Sequence, residues 1–282
     1  MKIFISVDME GISGVATNQQ LKTNSEYQRF RKLMTQDVNA AIEGAFNGGA
    51  TEVVVADGHG NMSNILVEEL DPRARLISGS NRIMSQMEGI DSSFDGLLFV
   101  GHHGREGGSA QTVISHTYAG VCVNELKVNG EVVSETTLNT YLAGAFGVPA
   151  LFISGDDVYV KDTLETLPDL EAAVVKRGID RFSAELIHPE KARQEIRRKA
   201  EIGVRKAKDV KPVTKEGPVT VEMEMKGPQQ AAMNTTLPTV ELIGPKKIRF
   251  TCDDIVAAYK HIWACIILAV TATNGVFGEV NA

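Results

Sequence analysis

The sequence predicts an α/β fold: a mainly parallel sheet flanked by helices over residues 1–180, and a smaller α+β portion over 181–282 belonging to the same functional unit. Three observations predict it. Four short apolar runs, residues 1–7, 52–56, 97–100 and 150–154, have strand length and β-branched or aromatic content, and each ends in glycine with Asp, Glu or His. The segment between the first two runs has helical periodicity, which makes a strand–helix–strand crossover and therefore parallel neighbours. Beyond residue 181, strand-like and helical segments are less regularly interleaved.

The elements follow in order. Met1 to Val7 is the first strand, and Gly11 to Asn24 a polar loop. From Ser25 to Phe46 the apolar residues Tyr27, Phe30, Met34, Val38, Ala41 and Ala45 trace one helical face, stopped by Gly48-Gly49. Glu52 to Ala56 is the second strand. Met62 to Leu70 is expected as a short helix and Arg75 to Ser78 as a short strand. Asn129-Gly130, between Val121, Val123 and Leu126, Val128 on one side and Val132 on the other, is a hairpin signal. A helix with Leu138, Tyr141, Leu142 and Ala145 as its apolar face comes next. After the strand ending at Ser154, a helix over about 158–167, a strand over 172–176 and a long charged helix over 189–208 are expected. Residues 211–218 read as a linker. Strands near 219–225, 240–243 and 248–251, then a helix from Asp253, complete the chain.

Composition narrows the function classes. A net charge of −7 argues against nucleic acid and anionic membrane as partners. The longest apolar run, Ile262 to Val270, is too short to span a bilayer. Three cysteines, Cys122, Cys252 and Cys265, are odd in number and lack close pairing, which suits a reducing compartment. The chain opens directly on a strand, without a charged and then apolar leader, so a cytoplasmic protein is expected.

The chemistry concentrates at the ends of the strands. Asp8 and Glu10 are two residues apart, so an extended chain presents both carboxylates to one side. Like charges held close are costly and call for a cation. Asp57-Gly58-His59, Gly101-His102-His103-Gly104 and Gly155-Asp156-Asp157 repeat the pattern at the other three strand ends. In open parallel sheets, ligands bind beyond those ends. Each residue alone has an ordinary reading: Asp57 as a turn acid, Asp156-Asp157 as a helix cap, Glu135 as a first-turn helix acid, and any one histidine as a turn or core residue. Jointly, mixed carboxylate and imidazole donors suit Zn2+ and, less specifically, Mn2+, Co2+ or Fe2+. Their number exceeds what one catalytic zinc takes from protein, which favours two ions and a bridging carboxylate. His188 and His261 lie in helical segments and read as structural or surface residues. Ser115-His116 is not a triad by itself, and no nucleophile elbow, P-loop or G-x-G-x-x-G is present.

Taken together, Ser6-Val7-Asp8-Met9-Glu10-Gly11, Asp57-Gly58-His59, Gly101-His102-His103, Ser115-His116 and Glu135 followed by Leu138-Asn139 resemble the DppA family of zinc D-aminopeptidases. These are self-compartmentalising metallopeptidases tied to dipeptide-permease operons, and the resemblance spans nearly the whole chain. It implies a catalytic α/β core over 1–180 with two Zn2+ per subunit, Asp8 bridging them and Glu10, His59, His103 and Glu135 completing the ligands. It also selects His103 over His102. His116 is the implied catalytic residue, as nucleophile or as general acid or base. The implied activity is hydrolysis of short peptides or amides with an N-terminal D-residue of the D-Ala type, through metal-activated water and His116, in a ring-like homo-oligomer, a decamer. The alternatives are a metal-dependent amidase or deacylase of other C–N bonds on the same scaffold, and a non-catalytic peptide-binding protein.

Overall fold

The structure is a computed structural model that describes residues 1–22 and 25–274. In chain order its regular elements are β1 (Lys2–Val7), α1 (Ser25–Asn47), β2 (Glu52–Asp57), β3 (Ala74–Ile77), β4 (Gly96–Val100), β5 (Val123–Val128), β6 (Glu131–Val132), α2 (Glu135–Ala145), β7 (Ala150–Asp156), α3 (Asp157–Thr166), β8 (Glu171–Asp180), β9 (Ser183–Leu186), α4 (Pro189–Arg205), β10 (Val219–Met225), α5 (Pro228–Asn234), β11 (Glu241–Gly244), β12 (Lys247–Cys252) and α6 (Ile255–Thr271). They form two compact units that interleave along the chain. One comprises the described residues of Met1–Gly104, with Gly108–Ser115 and Ala143–Val213. The other comprises Arg105–Gly107, His116–Leu142 and the described residues from Thr214 on.

The first unit is built on a seven-stranded sheet of order β3-β2-β1-β4-β7-β8-β9, parallel throughout except for the antiparallel β8–β9 pair. Its central strands are continuous apolar runs because both faces are covered. All five residues of β4 and the last five of β1 are buried. On one face, Phe30, Met34, Val38, Ala41 and Ala45 of α1 meet Ala192, Ile196, Ala200 and Val204 of α4, and both rows join Ile3, Ile5, Val53 and Val55 in one core. Each of the larger side chains among these, Phe, Met, Ile or Val, contributes about 1.5 to 3 kcal/mol by leaving water, and each alanine less. That explains why α4, charged on its outer face, still folds as a helix.

The second unit carries a five-stranded antiparallel sheet of order β11-β12-β10-β5-β6. The run Val219, Val221, Met223, Met225 of β10 is buried while the residues between are half-exposed. This period-two pattern gives the sheet one apolar face, and α6 packs against β10 and β12. The β5–β6 hairpin turns on Asn129 and Gly130, whose φ angles of 50° and 82° are those of a type I′ turn.

The expected short helix over Met62 to Leu70 does not form. The Asp57 carboxylate captures this segment instead, accepting from the backbone N–H groups of Asn64 (2.5 Å) and Ile65 (2.8 Å) and from Asn64 Nδ2 (2.8 Å). Leu66 N–H, the first donor such a helix would use internally, goes instead to Thr35 Oγ1 at 3.0 Å, and Met62 has φ of 57°. Two elements went unanticipated. The strand β9 owes its extended state to pairing with β8, and α5 is one short helix whose Pro228 stands in its first turn. No helix among the described residues is long and apolar enough to cross a membrane.

Candidate metal centre

The strand order of the first unit locates a site. The chain builds outward from β1 to β2 and β3, then returns to set β4 on the other edge of β1. Ligands of open α/β sheets bind beyond the carboxyl ends of the strands at such a reversal. Asp8, His59 and His103 lie just past the ends of β1, β2 and β4, three adjacent strands. The β1 and β4 backbones stay paired past the regular strands, with Asp8 N–H donating to Val100 O (2.9 Å) and Gly11 N–H to Gly101 O (2.7 Å). Gly11 is required here: a Cβ at this position would lie 1.9 Å from the His102 carbonyl oxygen.

Asp8, Glu10 and His59 each offer one donor atom, and these atoms lie within 4.8 Å of one another. His59 Nδ1 is 3.0 Å from Glu10 Oε2 and 3.3 Å from Asp8 Oδ1. The second oxygen of Asp8, Oδ2, is 3.4 Å from His103 Nε2. The two oxygens of one buried carboxylate thus face different imidazoles. His103 Nδ1–H donates to Gly104 O at 2.9 Å, which turns Nε2 toward Asp8. His102 points away, with Nε2 3.3 Å from Ser6 Oγ and its ring edge-on to Phe99.

The electrostatics are those of a site that calls for positive charge. Burial works against ionisation of Asp8, yet hydrogen bonds from His103 and His59 outweigh it and hold the carboxyl well below its ordinary range. Burial likewise opposes protonation of His59, but the Glu10 and Asp8 carboxylates hold its imidazole well above the ordinary value. Two buried carboxylates with imidazole nitrogens beside them form a donor set that fits Zn2+ or a similar borderline ion.

Other strand-end acids do structural work. Asp57 holds the segment described above. Asp156, with no exposed surface, caps α3 through the N–H groups of Val158 (3.0 Å) and Tyr159 (2.8 Å), and also accepts from Thr112 Oγ1 and Val113 N–H. Asp157 accepts from Gly178 N–H at 2.9 Å. His188 caps α4 and His261 stacks near Phe250, in keeping with their structural reading.

His116 and Glu135 belong to the second unit. Glu135 begins α2, but it is buried rather than a solvated helix-end acid, and its Oε1 accepts from Tyr118 N–H at 2.7 Å. Tyr118 has φ of 54°, and its hydroxyl donates to Asn139 Oδ1 (3.0 Å), one helical turn beyond Glu135. Tyr259 donates to the same oxygen at 2.9 Å. The half-buried His116 is flanked by left-handed residues at Ile114 (φ 50°) and Tyr118, a costly backbone for a β-branched and an aromatic residue.

Two residues of evident importance escaped sequence reasoning. Tyr118 follows Ser115-His116 closely, yet its orientation of Glu135 runs through its backbone. Lys176, fully buried on β8, donates to the carbonyl oxygens of Glu10, Ile12 and Val15. Burial lowers its pKa to about 8 against the opposing pull of the Asp156, Glu10 and Asp37 carboxylates.

A parallel sheet with buried carboxylates and imidazoles gathered at its reversal defines an α/β protein with a candidate metal centre. The model of the M55 peptidase family, D-aminopeptidase, matches residues 1–264, and the chain belongs to that family. The D-aminopeptidase of Bacillus subtilis (strain 168) is 36% identical over 271 residues, covering 95% of this chain and 98% of that protein. Among solved structures, the "Zn-dependent D-aminopeptidase DppA from Bacillus subtilis, a self-compartmentalizing protease" superposes with a TM-score of 0.91 at 35% identity, over 96% of this chain and 98% of the other.

Proposed function

We propose that this protein is a binuclear zinc aminopeptidase that releases N-terminal D-residues, of the D-Ala type, from short peptides or amides in the cytoplasm. The observation that carries the reading is the Asp8–Glu10–His59 cluster at the sheet reversal, in a chain that aligns end to end with a zinc-dependent D-aminopeptidase. Asp8, Glu10, His59, His103 and Glu135 would hold two Zn2+. Asp8 suits the bridging role because its two oxygens already face separate imidazoles. Bound zinc supplies Lewis acidity, polarising the scissile carbonyl and acidifying water.

The chain's own residues do the rest. Glu135 keeps one orientation because Tyr118 N–H occupies its Oε1. His103 presents Nε2 toward Asp8, because its Nδ1–H is donated to a carbonyl. His116 is the candidate to move a proton, accepting one as the nucleophile forms and returning it to the leaving amine. A D-preference follows when amine and carbonyl are both pinned and only one projection of the side chain is free of a clash. The test is kcat/KM for D-Ala and L-Ala amides at equal zinc loading. The D-form is expected to be favoured by at least about 100-fold, a difference of roughly 3 kcal/mol in transition-state binding. Equal turnover of the two would remove the D-specific part of the reading and leave the metallo-aminopeptidase.

We further propose a ring-like homo-oligomer, a decamer, supported by the likeness to a protein described as self-compartmentalizing. Multi-angle light scattering of the active protein is expected to give a mass near ten chains of 30.5 kDa. A stable, active monomer would refute the assembly without touching the chemistry.

A further inference from the structure

The segment that carries Glu10 has no regular secondary structure from Asp8 to Val15, yet it is almost wholly buried. Buried backbone carbonyls without a ladder need partners. Lys176 supplies them: its Nζ donates to Ile12 O at 3.1 Å, to Val15 O at 2.7 Å and to Glu10 O. An ammonium group has three donors, and here all three are spent on one segment, 161 to 166 residues away in sequence. A second anchor holds the middle of the segment, where Ser13 donates through its N–H (2.7 Å) and hydroxyl (2.8 Å) to the buried Asp37. Glu10 is therefore attached to a backbone whose path is dictated from β8 and α1 rather than by its own local structure.

We infer that Lys176 is a positioning residue for the metal centre: by tying down the carbonyls of Glu10, Ile12 and Val15 it holds the Glu10 carboxylate in register with Asp8 and His59. This rests on the reading of those three residues as zinc ligands. A lysine is suited to the task because a compact ammonium bonds three converging carbonyls at once. A planar guanidinium presents its donors in a fixed fork instead. A supporting residue of this kind acts on affinity, since a ligand free to sample other positions must be ordered again when the ion binds.

The experiment measures zinc affinity by competition with a chromophoric chelator, and the visible spectrum of the cobalt-substituted protein, well below the unfolding temperature. Lys176→Met is expected to weaken zinc binding about 10- to 100-fold and to change the cobalt spectrum. Lys176→Gln, which keeps two donors on a shorter chain, is expected to fall between it and wild type, and carries the test if the Met variant does not fold. Ile196→Ala, in the core contact of α4, serves as the comparison for general loss of stability and is expected to keep wild-type affinity and spectrum. Wild-type affinity and spectrum in a folded Lys176 variant would overturn the inference while leaving the metal centre standing. Equal weakening in Ile196→Ala would also overturn it, by making the effect one of stability. Failure of the wild-type protein to bind zinc would overturn the functional reading and the inference together.

Discussion

His116→Ala is expected to retain fold and zinc while losing about 100- to 10,000-fold in kcat, the range associated with removing a positioned proton-transfer group. His116 is a half-buried imidazole between two left-handed residues. Backbone strain of this sort costs of order 1 to 3 kcal/mol per residue and persists only where the surrounding structure enforces it. His116 lies outside the buried apolar core, so the unfolding temperature of the variant is expected to stay close to that of wild type. The informative measurements are kcat, KM and zinc content in the same preparation. A fall in kcat at unchanged zinc content assigns His116 to the chemical step. Loss of zinc in parallel would make it a ligand instead, and wild-type turnover would make it structural. If His116 acts as a base, the acidic limb of the kcat/KM profile should also flatten in the variant.

Asp8→Ala is expected to bind less than one zinc per chain and to have no measurable activity, whereas Glu10→Ala should retain about one. A bridging carboxylate serves both ions, and a terminal one serves a single ion. The same substitution leaves His59 and His103 without the carboxylate that each faces. Without Asp8, part of the charge that holds the His59 imidazole protonated also disappears. Its proton should then be lost at lower pH than in the metal-free wild type, a shift that nuclear magnetic resonance of the ring protons reports. Metal analysis after exhaustive dialysis checks the first expectation. Full zinc content in folded Asp8→Ala protein would end the bridging assignment.

Much of this architecture is legible in one dimension. The β1, β2, β4 and β7 runs are apolar on both faces because a parallel sheet is covered on both, and that leaves a continuous signal. The α1 stripe of Tyr27, Phe30, Met34 and Val38 is equally plain, as is the Asn129-Gly130 turn. The segment over Met62 to Leu70 misleads because its helical spacing is real. What cancels the helix is capture by side chains brought from elsewhere: Asp57 holds the Asn64 and Ile65 N–H groups, and Thr35 takes that of Leu66, the first the helix would need internally. The strand β9 has little pattern of its own and exists by pairing with β8.

The sequence by itself determined that acids and histidines would stand at the carboxyl ends of neighbouring strands, since strand length and apolar content set where each strand stops. Its ordered motifs also pointed to the D-aminopeptidase family, and the matched chain length bears this out. It did not determine which of those polar side chains would meet. Asp8 and Asp57 follow apolar runs in much the same way, yet one faces two imidazoles and the other is taken up by two backbone N–H groups and the Asn64 side-chain amide. Asp156 is likewise consumed as a helix cap. Only the tertiary structure decided these fates, because a carboxylate takes its role from the donors that packing brings to it. Lys176 makes the point most sharply. Nothing around it in sequence marks it out, and its three partners come from a segment more than 160 residues away, brought near only when the sheet is complete.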